Sequence, residues 1–241
     1  MFITRFPTAG RARATVPRIV LARAIGPLLA LAALAGCGSS DDFPPAAGPA
    51  TSPPLTERPA GRVVPAASAP DRPSAGLRAT VDQGRAVAIL DPRNRVLTVR
   101  DHGGEEIGRA AAGAGPTRVV GGRGGLIYVL DTAGDGLLVY ELRPRLHLTR
   151  RLPVLGRPYG IASDTVNQRL WITTTQTNRL MELADGARPH RLRSFPAVRQ
   201  PDSVAVDPER RRVYVSGRAD DVVQILDARD TREPTPRTGR R

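Results

Sequence analysis

A segment of a little over forty residues recurs along this chain. Pro116, Pro158 and Pro201 are spaced 42 and 43 residues apart, and the residues after each of them coincide. The matching runs are Pro116-Thr117-Arg118-Val119-Val120, Pro158-Tyr159-Gly160-Ile161-Ala162 and Pro201-Asp202-Ser203-Val204-Ala205. Twelve or thirteen residues later stand Tyr128-Val129-Leu130, Trp171-Ile172-Thr173 and Tyr214-Val215-Ser216. A polar turn and another apolar run come next in each, at 137–142, 180–183 and 222–226. An earlier, fourth copy fits with one residue of slack, its runs at 77–81, 87–90 and 96–99. Seven residues beyond Val87, Tyr128, Trp171 and Tyr214 come Asn94, Asp135, Asn178 and Asp221. Asn and Asp bond to nearby backbone and tolerate left-handed conformations, as a tight turn between two strands requires.

Between copies lies a further strand candidate, at 106–111, 148–154 and 191–198. Short β-branched runs punctuated by turn signals read as all-β. Four such strands in about 40–45 residues form a β-propeller blade, so the fold class expected is a β-propeller of about four four-stranded blades. The last copy has Arg212-Val213-Tyr214-Val215-Ser216, a loop with Asp220-Asp221, and then Val222-Val223-Gln224-Ile225-Leu226-Asp227. That wording, with Leu152-Pro153-Val154-Leu155-Gly156-Arg157-Pro158 between blades, resembles the YVTN family of propeller repeats over residues 62–228. The resemblance implies a fold and no particular reaction. The last copy lacks a fourth strand, and Gly61-Arg62-Val63-Val64-Pro65-Ala66 matches the missing piece. It is expected to complete the last blade and close a small ring, because closure removes exposed strand edges. The second reading is an open half-propeller that pairs with another copy.

The N-terminus reads as an address and an anchor. Residues 1–36 hold Arg5, Arg11, Arg13, Arg18 and Arg23 and no acid, and end in the uncharged stretch AIGPLLALAALAG at 24–36. Thirteen residues suit a signal-peptide core and are too few to span a bilayer as a helix. Leu34-Ala35-Gly36-Cys37, followed by Gly38-Ser39-Ser40, resembles the lipobox of bacterial lipoproteins. That resemblance implies cleavage before Cys37, lipid on its sulfur and an extracytoplasmic protein anchored to a membrane of the cell envelope. The domain reading is a signal peptide at 1–36, a lipidated Cys37 with a Pro/Ala-rich tether at 37–60, propeller repeats at 61–228 and a polar tail at 229–241. The tether composition cannot bury enough surface to offset its ordering entropy, so it is expected to be extended or disordered.

All 36 basic residues are Arg, which excludes lysine Schiff bases and the lysine-dependent phosphate loop. With one Cys there is no internal disulfide. The net charge of +13 divides into +5 before residue 37 and +8 after it, where Arg and acids are interspersed. Aromatics at 4% offer no stacking platform for single-stranded nucleic acid, so a nucleic-acid partner is not expected.

In a propeller, the turns between second and third strands share a face with the connections between blades. That face should carry the four Asx residues together with Arg118, Arg157, Tyr159, Arg199, Gln200 and Asp202. Loops on a rigid scaffold commonly carry function, so Arg118, Arg157, Tyr159, Arg199 and Asp202 form the candidate ligand site. The alternative for the Asx residues is that they only make turns. His147 and His190 occupy equivalent loops on the opposite face, too far apart to share a metal. The run Gly121-Gly122-Arg123-Gly124-Gly125 opens no helix and reads as a hairpin loop. No HExxH, GxSxG or serine–histidine pattern occurs. The function expected is a non-enzymatic binding module at the envelope, without cofactor, monomeric or a homodimer, recognising an envelope protein or a polar, anionic ligand. The competing reading is a metal-dependent, lactonase-like hydrolase of the propeller type.

Overall fold

The computed structural model describes residues 47–70 and 74–229. Cys37, the apolar stretch before it and most of the polar tail lie outside the described residues. Sixteen strands form four antiparallel four-stranded sheets. Blade 1 is β2 (Arg78–Val81), β3 (Ala86–Asp91), β4 (Val96–Asp101) and β5 (Glu106–Ala111), in spatial order. Blade 2 is β6 (Pro116–Gly121), β7 (Leu126–Asp131), β8 (Gly136–Glu141) and β9 (His147–Pro153). Blade 3 is β10 (Pro158–Asp164), β11 (Arg169–Thr174), β12 (Arg179–Ala184) and β13 (Arg191–Pro196). Blade 4 is β14 (Pro201–Asp207), β15 (Arg212–Gly217), β16 (Val222–Asp227) and, at its outer edge, the N-terminal β1 (Arg62–Pro65). The chain is therefore a four-bladed β-propeller assembly, as its repeat predicts.

The strand exchange expected at the ends is present. Arg62 pairs with Ile225 and Pro65 with Val222, so the first strand completes the last sheet. Gly61 makes this possible: its φ is +72°, and a Cβ there would overlap the Ile225 carbonyl.

The inner strands pack in series, β2 against β6, β6 against β10 and β10 against β14. Three apolar cores result. One joins blades 1 and 2 through Leu90, Leu97, Val129 and Tyr140, and a second joins blades 2 and 3 through Tyr128, Leu137, Ile161 and Ile172. The third joins blades 3 and 4 through Trp171, Phe195, Val215 and Leu226, with the two rings stacked at 6.2 Å. Among the described residues no core joins blade 4 to blade 1. Blade 2 shows what being sandwiched means, since β7 is buried at every position, Ile127 and Val129 facing one neighbour and Tyr128 and Leu130 the other. β3 of blade 1 alternates buried and half-buried, because only one of its faces is covered.

The connector lengths agree with this arrangement. Those at 112–115, 154–157 and 197–200 have four residues each, whereas β1 reaches β2 through the twelve residues 66–77. At about 3.3–3.6 Å per residue, four residues step to an adjacent blade and twelve can bridge a gap of tens of ångströms.

Register also corrects the alignment of the first copy. Ala79 pairs with Ala88 as Val120 pairs with Tyr128, so Ala88, and not Val87, matches the aromatic position. Seven residues on, the left-handed turn residue is Arg95 (φ +54°), equivalent to Asp135, Asn178 and Asp221 (φ +46° to +49°). Asn94 instead donates to the Asp91 carboxylate from its backbone and side-chain nitrogens, which holds that carboxyl below its ordinary range.

Candidate functional site

The face that carries the turns between second and third strands also carries the connectors, as the repeat geometry requires. There the Asx side chains act as staples between blades. Asp135 of blade 2 accepts the Arg157 N–H at 2.8 Å, and Asn178 of blade 3 accepts the Gln200 N–H at 3.1 Å. Arg95 cannot accept, and at the first junction Asp131 takes over. Its fully buried carboxylate receives the N–H groups of Ala114, Gly115 and Gly134 and the Arg151 guanidinium. An Asp or Asn side chain is therefore structural at each of these three junctions.

Each first strand of blades 2, 3 and 4 opens with a register shift, after Pro116, Pro158 and Pro201. Such bulges re-aim side chains at the rim of a barrel or ring. They lie beside Thr117 and Arg118 on β6, Tyr159 on β10 and Asp202 on β14. The Arg118 guanidinium lies 4.8 Å from the centroid of the Tyr159 ring, and its Nη1 donates to the Thr117 carbonyl at 2.9 Å. A cation over an aromatic face contributes about 0.5–2 kcal/mol, more as water is excluded. Asp202 is half-buried on the neighbouring strand. Burial pushes its carboxyl above the ordinary aspartate value, opposed by the charges of Arg218 and Arg118.

Arg118, Tyr159 and Asp202 of three successive blades thus converge at the inner edge. The other two residues expected there do different work. Arg157 holds the left-handed corner of its connector (φ +59°), and its carbonyl accepts from the Thr175 N–H. Arg199 is engaged in an ion pair with Asp220 at 2.6 Å. Cys37 lies outside the described residues.

Arg218 is the residue that sequence reasoning missed. It comes immediately after β15, as Thr132 comes after β7 and Thr175 after β11, at a spacing of 43 residues. All three donate a backbone N–H to the facing connector, Thr132 to Gly115, Thr175 to Arg157 and Arg218 to Gln200. The same repeat alignment contained it, but one Arg against two Thr carries no pattern until the fold points it at Asp202.

The described part of the tether, 47–60, is hydrogen-bonded to the blades. Along 47–60 it crosses blade 3 on this same face. Thr175 Oγ1 accepts the Ala50 N–H at 3.0 Å, Asn178 donates to the Pro53 carbonyl at 2.9 Å, and Arg179 pairs with Glu57. Asn178, Thr175 and Pro196 supply backbone partners that the segment lacks by itself. Ala60 then donates to the Pro196 carbonyl and delivers the chain to β1.

Other polar clusters are structural. Glu182 is buried between Arg169 and Arg193, where two cations offset the desolvation of one carboxylate. Tyr128 donates a short hydrogen bond to Asp185 and accepts from the Gly186 N–H, and burial pushes both acids up. His147 and His190 are exposed. Among the described residues no three His, Cys, Asp or Glu side chains gather as a metal site.

No protein-family model and no curated protein sequence matches the chain. Solved structures do. Hydrazine synthase of Kuenenia stuttgartiensis matches with a TM-score of 0.54 at 17% identity, over 66% of this chain and 47% of that one. The Cps50 (Swd1) β-propeller domain of Myceliophteria thermophila matches with 0.51 at 13% identity, over 64% and 53%. A candidate 6-phosphogluconolactonase of Bacteroides fragilis matches with 0.53 at 12% identity, over 64% and 54%. These likenesses establish the β-propeller fold, and the chain spans about half the length of the structures it matches.

Proposed function

We propose that this protein is a lipid-anchored, extracytoplasmic β-propeller that works as a non-enzymatic binding module at the cell envelope. The lipobox-like Leu34-Ala35-Gly36-Cys37 motif supports the anchor, and the inner edge of the blades supports the binding role. The observation that carries it is the Arg118–Tyr159 stack facing Asp202 and Arg218 across adjoining blades. An arginine held flat on a ring keeps its outward N–H fork available for the oxygens of a carboxylate or phosphate. Burial raises the Asp202 carboxyl above a free aspartate, so it takes up a proton at a higher pH than an ordinary aspartate does.

Titration calorimetry with citrate and with inorganic phosphate tests the site. Arg118→Ala and Tyr159→Leu should each weaken binding at least tenfold while the melting temperature stays within about 2 °C. Retained affinity in both variants would refute it. Cys37→Ala should leave unprocessed precursor, and normal maturation of that variant would remove the anchor from the reading. The competing metal-dependent hydrolase predicts a rise in melting temperature with excess calcium or zinc, since a ligand at a hundredfold its Kd stabilises by about 2.7 kcal/mol.

A further inference from the structure

We infer that two copies of this chain assemble head to tail into one closed ring of eight blades, blade 4 of each copy packing on blade 1 of the other. Four observations lead to this. First, blades 1 and 4 are three inter-blade steps apart and share no core among the described residues, whereas each successive pair of blades does. Second, twelve residues separate β1 from β2, where four separate the outer strand of one blade from the inner strand of the next elsewhere. Third, the chain covers 53% of the Cps50 (Swd1) β-propeller domain on which it superposes, so a solved propeller has room beyond the part this chain matches.

The fourth concerns the two end faces. On blade 1, Val87 and Ile89 hold the positions that Ile127 and Val129 hold in blade 2, where both are fully buried against the preceding blade. No blade packs on this face of blade 1 among the described residues, and both are half-buried. Thr98 and Arg100 replace the equivalents Leu138 and Tyr140, so the face mixes apolar and polar groups as a surface must that meets water before it meets a partner.

On blade 4 the connector lies over the open face. Ala66, Ala69, Pro70 and Ser74 roof a cleft whose floor includes Ser203, Tyr214 and Val223. These are small side chains in the place of a fifth blade, with no strand among them to seal the sheet. The Asp221 side chain, the staple of blade 4, accepts no connector N–H among the described residues, whereas Asp135 and Asn178 each do. The occupant that fits a blade-4 face is a blade-1 face, because these are the two halves of every junction already present in the chain. A twofold pair makes two such junctions and leaves no end face open. In such a pair Ala66, Ala69, Pro70 and Ser74 have to leave the blade-4 cleft that they line here. The inference does not depend on the ligand proposed above.

The test uses the full chain in mild detergent with Cys37→Ser, so that introduced thiols are the only ones. Ile89→Cys and Ser216→Cys together should yield, on mild oxidation, a covalent species of twice the chain mass. Ile89→Cys alone or Ser216→Cys alone should yield none. Light scattering should give a dimer for the parent chain, and Ile89→Asp should convert it to a monomer with unchanged circular dichroism. A disulfide formed within one chain would overturn the inference in favour of a closed four-bladed ring. Covalent dimers of Ile89→Cys alone would overturn it in favour of a blade-1-to-blade-1 pair. A parent chain that scatters as a monomer would overturn it outright.

Discussion

Removing the Asp131 carboxylate should loosen the first two blades of the propeller. Asp131 is fully buried at the end of β7 and accepts from four donors. In Asp131→Ala, the Ala114 N–H and the Arg151 guanidinium regain water, since both residues are exposed. The Gly115 and Gly134 N–H groups are half-buried, at 2.7 and 3.1 Å from Oδ1, and lose their partner without full access to solvent. A donor left unsatisfied costs about 1–3 kcal/mol, so these two together cost roughly 2–6 kcal/mol. One kcal/mol moves the melting temperature of a domain of this size by about 2–4 °C. The expected loss is therefore on the order of 10 °C by scanning calorimetry or far-ultraviolet circular dichroism. Asp131→Asn keeps the Oδ1 acceptor and exchanges the oxygen that faces Arg151 for an amide, so it should fall between wild type and alanine. Hydrogen exchange should accelerate at Gly115 and remain unchanged at Gln200, whose staple is Asn178. An alanine variant melting within about 2 °C of wild type would refute the view that buried acceptors tie the connectors to the blades.

Gly61→Ala should detach β1, because the new Cβ overlaps the Ile225 carbonyl and the backbone there is left-handed. Limited proteolysis should then cut within 62–70, and an uncut chain would count against the crossover. Asp202→Asn should stabilise the protein at neutral pH. A carboxyl whose folded value is raised binds protons more tightly folded than unfolded, so the wild type loses stability as pH rises above the unfolded aspartate range. The variant should melt higher at pH 7 and level with wild type near pH 3, and an equal difference at both would contradict this. If the proposed site binds citrate, wild-type affinity should also improve on acidification through that window more than the affinity of Asp202→Asn does. Trp171→Leu should lower stability by about 1–3 kcal/mol, since Trp171 is fully buried against Phe195 in the only apolar core that joins blades 3 and 4 among the described residues. Denaturant melts would read the loss, and a change under about 0.5 kcal/mol would place that core elsewhere.

Much of the fold was legible in sequence because a repeat supplies its own comparison. Proline spacing set the blades, and alternation of Val, Leu and Ile set the strands. The missing last strand was found at 62–65 because a sheet edge needs a partner. Misplacing Asn94 for Arg95 was a one-residue error, and in a sheet one residue reverses which side chains face the core. The candidate site was legible in part. All five candidates came from one argument, the face shared by turns and connectors; the fold brings Arg118, Tyr159 and Asp202 together, while Arg157 sits at a connector corner and Arg199 pairs with Asp220. Sequence period alone determined the number of blades, their strands and the strand that crosses from one end to the other, since these depend on local hydrogen bonding and burial pattern. Only the tertiary structure decided the angle between blades, and with it whether the four close on one another. That angle is set by the summed packing of side chains such as Tyr128, Leu137 and Trp171 at each junction, and no single residue announces it.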